Sequence, residues 1–557
     1  MGTRIVIIGG VAGGASAATK ARRTNESAEV IILERGPYVS FANCGLPYYV
    51  GGEIPRVSDL LVMTPQRFAD RYRIDVRLHH EATAIDTERK RVRVLDHTTS
   101  QEDWLPYDRL IVATGGRPVM PPIPGIDAPG VFPLTTVPEA QATREWIRQR
   151  GARTAVVVGA GYIGLEAVEA MLNIGLRVEL VEKLDQVLPL LDPEMVSPVA
   201  AHLASKGVRL NLGAEVTRFV LDDGVLRGVE LASGRVIPAD VAIVAIGVRP
   251  ELKLVQDANL KFGPTGGVAV DDRMRTSVPD VYACGDIVES KSRITGKPTR
   301  VPLAGPANKQ GRVAGANAAG GNLTFPGVVG TSIVRVFDLT VAKTGLGERE
   351  ARQAGYEVLV SYTHSADHAT YYPGARRMSI KVVSDRDGRL LGAQVVGQTG
   401  VDKRIDVFAT ALFAGLDVDE LEGLDLAYAP PYSSAKDPVN IAGFVAANVL
   451  RGEVKSITPA ELARRIENGA AQTLLDVRDP GEFAAGHIPG ATLIPLDTLR
   501  DSLDRVPKGK PVVAYCGVGL RSYHACRILM HHGYEVENLS GGYTSWAMAV
   551  QARAKAD

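Results

Sequence analysis

Two stretches far apart in the chain share one local grammar, and it narrows the possible folds more than any other feature. In each, a β-branched run enters a cluster of glycines and an alanine-rich helical pattern follows: Arg4–Ile8 before Ala15–Arg23, and Thr154–Val158 before Leu165–Leu172. Strand, glycine turn, helix and strand form the βαβ unit of a parallel sheet, so the class is α/β. The units lie about 150 residues apart, the spacing of related modules and not of a short-period repeat.

The second cluster is the cleaner. Gly159-Ala160-Gly161-Tyr162-Ile163-Gly164 opens a helix, and the next run, Arg177–Val181, ends at Glu182, 18 residues past Gly164. Glycines there permit a tight turn and let backbone amides approach a pyrophosphate at a helix N-terminus. A carboxylate at Glu182 accepts from a ribose 2′-hydroxyl and repels a 2′-phosphate, which favours NAD(H), and Lys183 beside it weakens that choice. The first cluster, Gly9-Gly10-Val11-Ala12-Gly13-Gly14, departs from the pattern with Val11 at the second glycine position. Its setting still fits, because the strand Glu29–Leu33 ends at Glu34, twenty residues past Gly14.

Beyond Asn322 the texture changes. Gly330–Leu346 and Met378–Val396 read as strands and Asp402–Leu416 as a helix, the mixture of an α+β domain. The chain turns polar near Arg451–Ile457, and Thr458-Pro459-Ala460-Glu461 reads as a capping-box helix start, which places a boundary there. At about 150 residues per domain, a chain of 557 residues holds three to four. Lys plus Arg equals Asp plus Glu at 63 each, which argues against nucleic acid or an anionic membrane as a bulk electrostatic partner. Four cysteines are too few for a disulfide framework and suit a reducing compartment. Glycines interrupt the apolar start at Ile5–Ile8, and no run approaches the ~18 apolar residues of a membrane helix. The expectation is a cytoplasmic protein.

Two further segments, Leu110–Gly116 and Val281-Tyr282-Ala283-Cys284-Gly285-Asp286, are strands ending in small residues, the second in Gly-Asp. Together with the glycine motifs they resemble the FAD- and NAD-dependent disulfide reductases with two dinucleotide domains. The resemblance covers about residues 1–450. It implies an FAD domain at 1–115 and 247–322, an inserted NAD domain at 116–246 and a dimerisation domain at 323–450 that makes a homodimer. It places FAD against Gly9, Val11, Ala12, Gly13, Gly14, Glu34, Arg35, Asn43, Thr114, Gly115, Gly285, Asp286, Pro302 and Tyr428. NADH falls to Gly159, Gly161, Tyr162, Ile163, Gly164, Glu182 and Gly247.

The superfamily usually carries a C-x4-C redox pair. Here Tyr49 stands where the second cysteine would be, so Cys44 must cycle through a sulfenic acid or a mixed disulfide with substrate. A peroxidase or oxidase of this superfamily places histidine in the first glycine loop, where this chain has Ala12. Ser40-Phe41-Ala42-Asn43-Cys44-Gly45-Leu46-Pro47-Tyr48 resembles the coenzyme A-disulfide reductases. That resemblance assigns Ser16, Lys20, Arg23, Ser40, Asn43, Asn308 and Lys436 to coenzyme A, the two helix cations suiting its phosphates. It also sets Tyr371 and Tyr428, across the dimer, as donors to a leaving thiolate.

The last hundred residues carry Leu474–Phe483, Gly486-His487-Ile488-Pro489-Gly490-Ala491, and a strand Val512–Tyr515 leading to Cys516-Gly517-Val518-Gly519-Leu520-Arg521-Ser522. A cysteine between a strand and a helix has backbone amides and a helix dipole aimed at its sulfur, and Arg521 adds a cation. A phosphatase loop is the sterically similar alternative but needs more than the five residues after Cys516. The segment resembles a rhodanese domain, over 457–557, whose cysteine carries sulfane sulfur as a persulfide. His487 is expected to brace the scaffold, and Cys284 and Cys526 to pack. The whole chain resembles a coenzyme A-disulfide reductase–rhodanese fusion of the NADH-dependent persulfide reductase type. The implied chemistry uses FAD, NADH and coenzyme A and no metal, with NADH peroxidase or oxidase, or a non-redox sulfur relay, as alternatives.

Overall fold

A computed structural model of the protein describes residues 2–553. Met1 and the last four residues of the expected rhodanese-like domain lie outside the described residues. The chain divides into two compact units, residues 1–181 with 214–328, and residues 182–213 with 329–557.

The first unit contains two parallel sheets. One runs in the order Val281–Ala283, Arg109–Val112, Arg4–Ile8, Glu29–Glu34, Asp75–Leu78. Its central strand is covered on both faces, with Ile5, Val6 and Ile7 fully buried, so it reads as continuous apolar residues and not as an alternation. The other sheet sets Thr154–Val158 between Arg177–Val181 and Val241–Val244, all parallel. Three-stranded antiparallel sheets at 80–106 and 216–238 flank the two.

The glycine turns repeat in geometry. Gly9 and Gly159 leave their strands at φ +95° and +103°, a region costly for any residue with a Cβ. A Cβ on Gly14 or Gly164 would meet the carbonyl oxygen of Gly9 or Gly159 at 1.8 and 1.9 Å, so each helix starts hard against its strand. The off-pattern Val11 is tolerated because its φ is −94°. The first helix, Ala12–Thr24, also lies backbone to backbone against the helix Ala304–Ala318. A Cβ on Gly311 or Gly315 would fall 2.2 and 2.0 Å from the oxygens of Gly13 and Ala17.

In the second unit, an antiparallel sheet is ordered Ser332–Val336, Leu339–Gly345, Leu390–Gly397, Arg377–Asp385, Val358–Ala366. The stretches expected as strands, Gly330–Leu346 and Met378–Val396, are each a hairpin. The first turns at Phe337-Asp338 with Phe337 at φ +57°, the second at Arg386-Asp387-Gly388. The helix expected at Asp402–Leu416 spans Val401–Ala414. The C-terminal sheet is parallel, with Val512–Tyr515 between Thr473–Asp476 and Val536–Leu539. Its first helix starts at Pro459 with Thr458 as N-cap, accepting from the Glu461 amide. The reciprocal half of the capping box is absent, because Glu461 turns instead to Arg464 and Arg465.

This unit is tied together by buried charge. Lys381 is fully buried and meets Asp192 at 2.9 Å, Glu194 at 2.5 Å and Glu348 at 2.9 Å. Three carboxylates compensate the desolvation of one ammonium, and removing a partner would strand a buried charge. From the same strand pair, Tyr362 donates from its hydroxyl to Glu194 and from its amide to Ser540 Oγ. His364 bridges Ser379 and Ser545.

Candidate functional site

The first glycine loop and its surroundings fit the flavin dinucleotide expected there. Glu34 accepts from the Gly10 and Gly36 amides, one with each carboxylate oxygen, and keeps lone pairs free at the end of its strand. Asp286 follows the strand Val281–Ala283, and burial alone pushes its carboxyl up to about 6. Among the described residues it has no hydrogen-bond donor, the condition of a carboxylate awaiting a hydroxyl-bearing ligand. Gly285 donates its amide to the buried Gln310, whose own amide goes to Ser290, so the turn is braced from the helix Ala304–Ala318. Thr114 is fixed by its hydroxyl to the Glu251 carbonyl, and Gly115 sits at φ +69°. Arg35 and Pro302 are exposed.

Cys44 lies in a single 3-10 turn, Asn43–Gly45, that runs into the short helix Leu46–Val50. It is exposed, whereas Cys284, Cys516 and Cys526 are buried. Desolvation raises its thiol above the ordinary cysteine value, and the carboxylates of Glu166 and Asp286 add to the rise. Glu166 belongs to the helix Tyr162–Asn173 of the second glycine motif, and its Oε1 accepts from the Tyr48 hydroxyl at 3.1 Å. Tyr49, at the missing second cysteine position, is buried beneath the Arg144 guanidinium, 4.8 Å from the ring centroid.

Ser40 is buried with φ +49° and takes two amides, Val62 and Met63, on its carbonyl. A non-glycine residue held in that region is strain that the surrounding bonds must hold. Asn43 donates to the Thr135 carbonyl. The Ser16 hydroxyl donates to Asn308 Oδ1 at 2.6 Å, so two residues expected to hold coenzyme A do meet. Lys20 is half-buried and Arg23 exposed, and neither has a carboxylate partner among the described residues, whereas Arg22 is buried and spent on backbone carbonyls of Tyr72, Glu26 and Arg73.

The second glycine motif has Gly161 as N-cap, with Tyr162 and Ile163 half-buried in the first turn and open space above Gly161. Gly247 is equally open at φ +108°. Glu182 Oε1 accepts from the Leu184 amide.

In the second unit Tyr371 and Tyr428 share a 2.7 Å hydroxyl–hydroxyl bond and are both exposed. The partner hydroxyl raises the Tyr371 phenol. Their loops are pinned from below by Arg404, which is buried and donates to the Asp367 and Tyr432 carbonyls, Ser433 Oγ and the Asp437 carboxylate. Lys436 is exposed on the same loop.

Cys516 follows its strand directly. Gly517–Gly519 make the turn, and the helix Leu520–His531 begins sooner than the five-residue spacing suggests. The sulfur accepts from the Gly519 amide at 3.1 Å and the Ser522 hydroxyl at 3.5 Å. Arg521, expected to be the sulfur's cation, feels the Cys516 sulfur and is also paired with Glu482 at 2.7 Å and Asp479 at 3.3 Å. The loop is backed by the helix Gly542–Arg553, where the Tyr543 amide donates to the Cys516 carbonyl and Thr544 to that of Gly517. Behind it, Arg478 is salt-bridged to the buried Asp476 and lies over the Tyr515 and Tyr543 rings. His487 stacks on Phe483 at 3.9 Å, as a brace would. Cys284, one residue past its strand, and Cys526 are buried, and burial pushes the Cys284 thiol up to about 12. Among the described residues no group of three His, Cys, Asp or Glu is placed to hold a metal, and no helix is long and apolar enough to cross a membrane.

Sequence reasoning named neither Glu166, Gln310, Arg404 nor Ser522 for a role. Glu166 alone had a local signal, an acidic residue two positions after a glycine motif.

The family of pyridine nucleotide-disulphide oxidoreductases matches residues 3–311, its dimerisation domain residues 331–438, and the rhodanese-like domain residues 458–549. The chain is 36% identical over 446 residues to a coenzyme A disulfide reductase of Staphylococcus haemolyticus, covering 80% of this chain and 99% of that one. Two solved structures are similar over nearly the whole length, both at 42% identity. The reduced CoADR-RHD of Bacillus anthracis covers 99% of both chains with a TM-score of 0.96. A NAD-dependent persulfide reductase from A. fulgidus covers 98% of this chain and 100% of that one with a TM-score of 0.91.

Proposed function

Because the chain belongs to the pyridine nucleotide-disulphide oxidoreductase family, we propose that it uses NADH to reduce coenzyme A persulfide, polysulfide or disulfide through the single thiol of Cys44. The rhodanese-like domain supplies sulfane sulfur from Cys516. One observation carries this reading. The exposed thiol, Cys44, stands where desolvation, Glu166 and then Asp286, the carboxylate without a donor at the end of the flavin cradle, all raise it.

Bound FAD supplies the two-electron chemistry between NADH and sulfur, and Gly9, Gly13, Gly14, Glu34, Gly285 and Asp286 are the residues to hold it. Cys44 thiolate attacks a sulfur of CoA–S–S–R, where R is hydrogen or a second CoA. The Cys44–S–S–CoA bond forms, the S–S bond to R breaks, and sulfide or thiol leaves. An electron pair and a proton delivered to that mixed disulfide return Cys44 thiolate and CoA thiol. Cys44 starts as a raised thiol, so its neighbours favour the protonated form until a ligand changes the local charge.

Ser16, Lys20, Arg23, Ser40, Asn43, Asn308 and Lys436 hold coenzyme A, the cations facing its phosphates. Tyr371 and Tyr428, hydroxyl to hydroxyl and exposed, suit donation to a thiolate leaving group at a second subunit. The match of the dimerisation domain supports a homodimer, and four free cysteines support a reducing, cytoplasmic setting. Gly159–Gly164, Glu182 and Gly247 hold NADH. The domain bounds of the sequence reading, 1–115 with 247–322, 116–246, 323–450 and 457–557, are kept as part of this proposal.

The oxidase or peroxidase alternative lacks a proton handler at Ala12. The test is anaerobic sulfide release from CoA persulfide with NADH. Cys44→Ser should lose at least ~10³-fold, and full activity in that variant would sink the reading. Mass spectrometry of the non-reduced protein should find FAD, and a CoA adduct at Cys44.

A further inference from the structure

We propose that Asp479, Glu482 and Arg521 form a charge filter at the mouth of the Cys516 loop. It admits an alkyl persulfide on a neutral arm and turns away thiosulfate and other small sulfur dianions. The inference rests on the reading that Cys516 carries sulfane sulfur and names the donor class for that site.

Three observations carry it. The groups that touch the sulfur, the Gly519 amide and the Ser522 hydroxyl, are neutral and fit one thiolate or persulfide. The guanidinium beside the loop is already bound by two carboxylates, Glu482 at 2.7 Å and Asp479 at 3.3 Å. These groups stand at the entrance itself: a Cβ on Gly517, the residue after Cys516, would lie 3.5 Å from Glu482 Oε1 and 3.6 Å from Arg521 Nη2. Arg521 holds the Glu482 carboxyl down to about 2, so this carboxylate is ionised at any working pH. The other guanidinium of this region, Arg478, is neutralised by Asp476. The mouth therefore has one negative charge in excess.

Sulfur transfer from thiosulfate requires the whole dianion to come within bonding distance of Sγ, where that excess charge repels it. An alkyl persulfide in its protonated form, R–S–SH, brings no charge to the same place, and its anion brings one where thiosulfate brings two. Leu520, 63% exposed directly after the loop, offers apolar surface for such a chain. The step balances without an outside oxidant. Cys516 thiolate attacks the outer sulfur of R–S–SH, a new S–S bond forms at Cys516, and the old one breaks with its electron pair on RS⁻. The proton stays on the Cys516 persulfide.

The test uses the full-length holoenzyme and reads persulfide on Cys516 by intact-protein mass, with thiosulfate or the persulfide of pantetheine as donor. The wild type should load at least ~10-fold faster from pantetheine persulfide than from thiosulfate. In Asp479→Asn/Glu482→Gln, which frees Arg521, loading from thiosulfate should rise at least ~10-fold while pantetheine persulfide stays within about threefold. The second donor thus reports that the variant is folded. Equal use of both donors by the wild type, or no rise with thiosulfate in the variant, overturns the filter. Failure of both donors to load wild-type Cys516 overturns the sulfur-carrier reading as well, whereas loss of NADH-dependent reduction alone does not touch the filter.

Discussion

Cys44 and Cys516 are both free thiols just ahead of a helix, yet the protein treats them in opposite ways. Cys516 is buried in a finished cradle, with an amide and a hydroxyl already on its sulfur. Cys44 is exposed in a one-turn helix, and its thiol is raised by desolvation and by the charges of Glu166 and Asp286. One site is preorganised by the chain alone. At the other, the surroundings disfavour the thiolate, so its reactivity depends on whatever changes the local charge.

The strongest way to break this contrast is to remove each sulfur in turn. With a small persulfide as substrate, Cys516→Ser should keep NADH-dependent reduction within about twofold, while Cys44→Ser loses at least ~10³-fold. Equal losses would mean that the two thiols form one relay and not two separable sites. A smaller effect is expected from the cradle itself. Ser522→Ala removes one of two donors from the Cys516 sulfur and should slow its alkylation near neutral pH by about tenfold, because the thiolate loses a hydrogen bond. No change would show that the Gly519 amide and helix dipole suffice.

How much of this was readable beforehand follows from the range of the interactions. Strands that lie at the centre of parallel sheets carry their signal locally, and Thr154–Val158, Arg177–Val181 and Val512–Tyr515 have the same bounds in sequence and structure. The hairpin at Phe337-Asp338 does not, because a phenylalanine at φ +57° gives no glycine to mark the turn. The hairpin within Met378–Val396 did carry Asp387-Gly388, a turn signal obscured by the apolar runs around it. At the sites, motif residues were legible and their partners were not. Arg521 stood out as a cation, but Glu482 lies 39 residues away and reaches it only through the fold. Arg404 has no motif at all; its role in holding the tyrosine loops is a property of five bonds made in three dimensions.

A finer test addresses the raised thiol. Glu166→Gln removes one of the two carboxylates that disfavour Cys44 thiolate, so alkylation of Cys44 in the apoprotein should titrate at lower pH and run about threefold faster near neutrality. Asp286 remains, so the shift is partial. An unchanged profile would leave the rise to desolvation and Asp286.

The smallest effect concerns what stands behind the preorganised site. His364, from the strand Val358–Ala366, bridges Ser379 and Ser545, and Ser545 lies in the helix whose Tyr543 and Thr544 hold the Cys516 loop. Burial, with Arg377 nearby, pushes this imidazole from the ordinary 6.5 down to about 4. The unfolded chain therefore binds the extra proton first between those values. The stabilisation is complete above about 6.5 and declines as the pH falls toward 4. The paired carboxylates of Asp192 and Glu348 are held below their ordinary values, so the Lys381 cluster fails only at still lower pH. Between pH 7 and 5, the thermal midpoint of the second unit should fall, and Cys516 loading, corrected for thiol ionisation, should fall about twofold. His364→Gln can replace one of the two serine bonds without titrating, so its slope over the same range should be nearly flat. Parallel slopes in the two proteins would remove His364 from the support of Cys516 and leave the cradle to stand on its own loop.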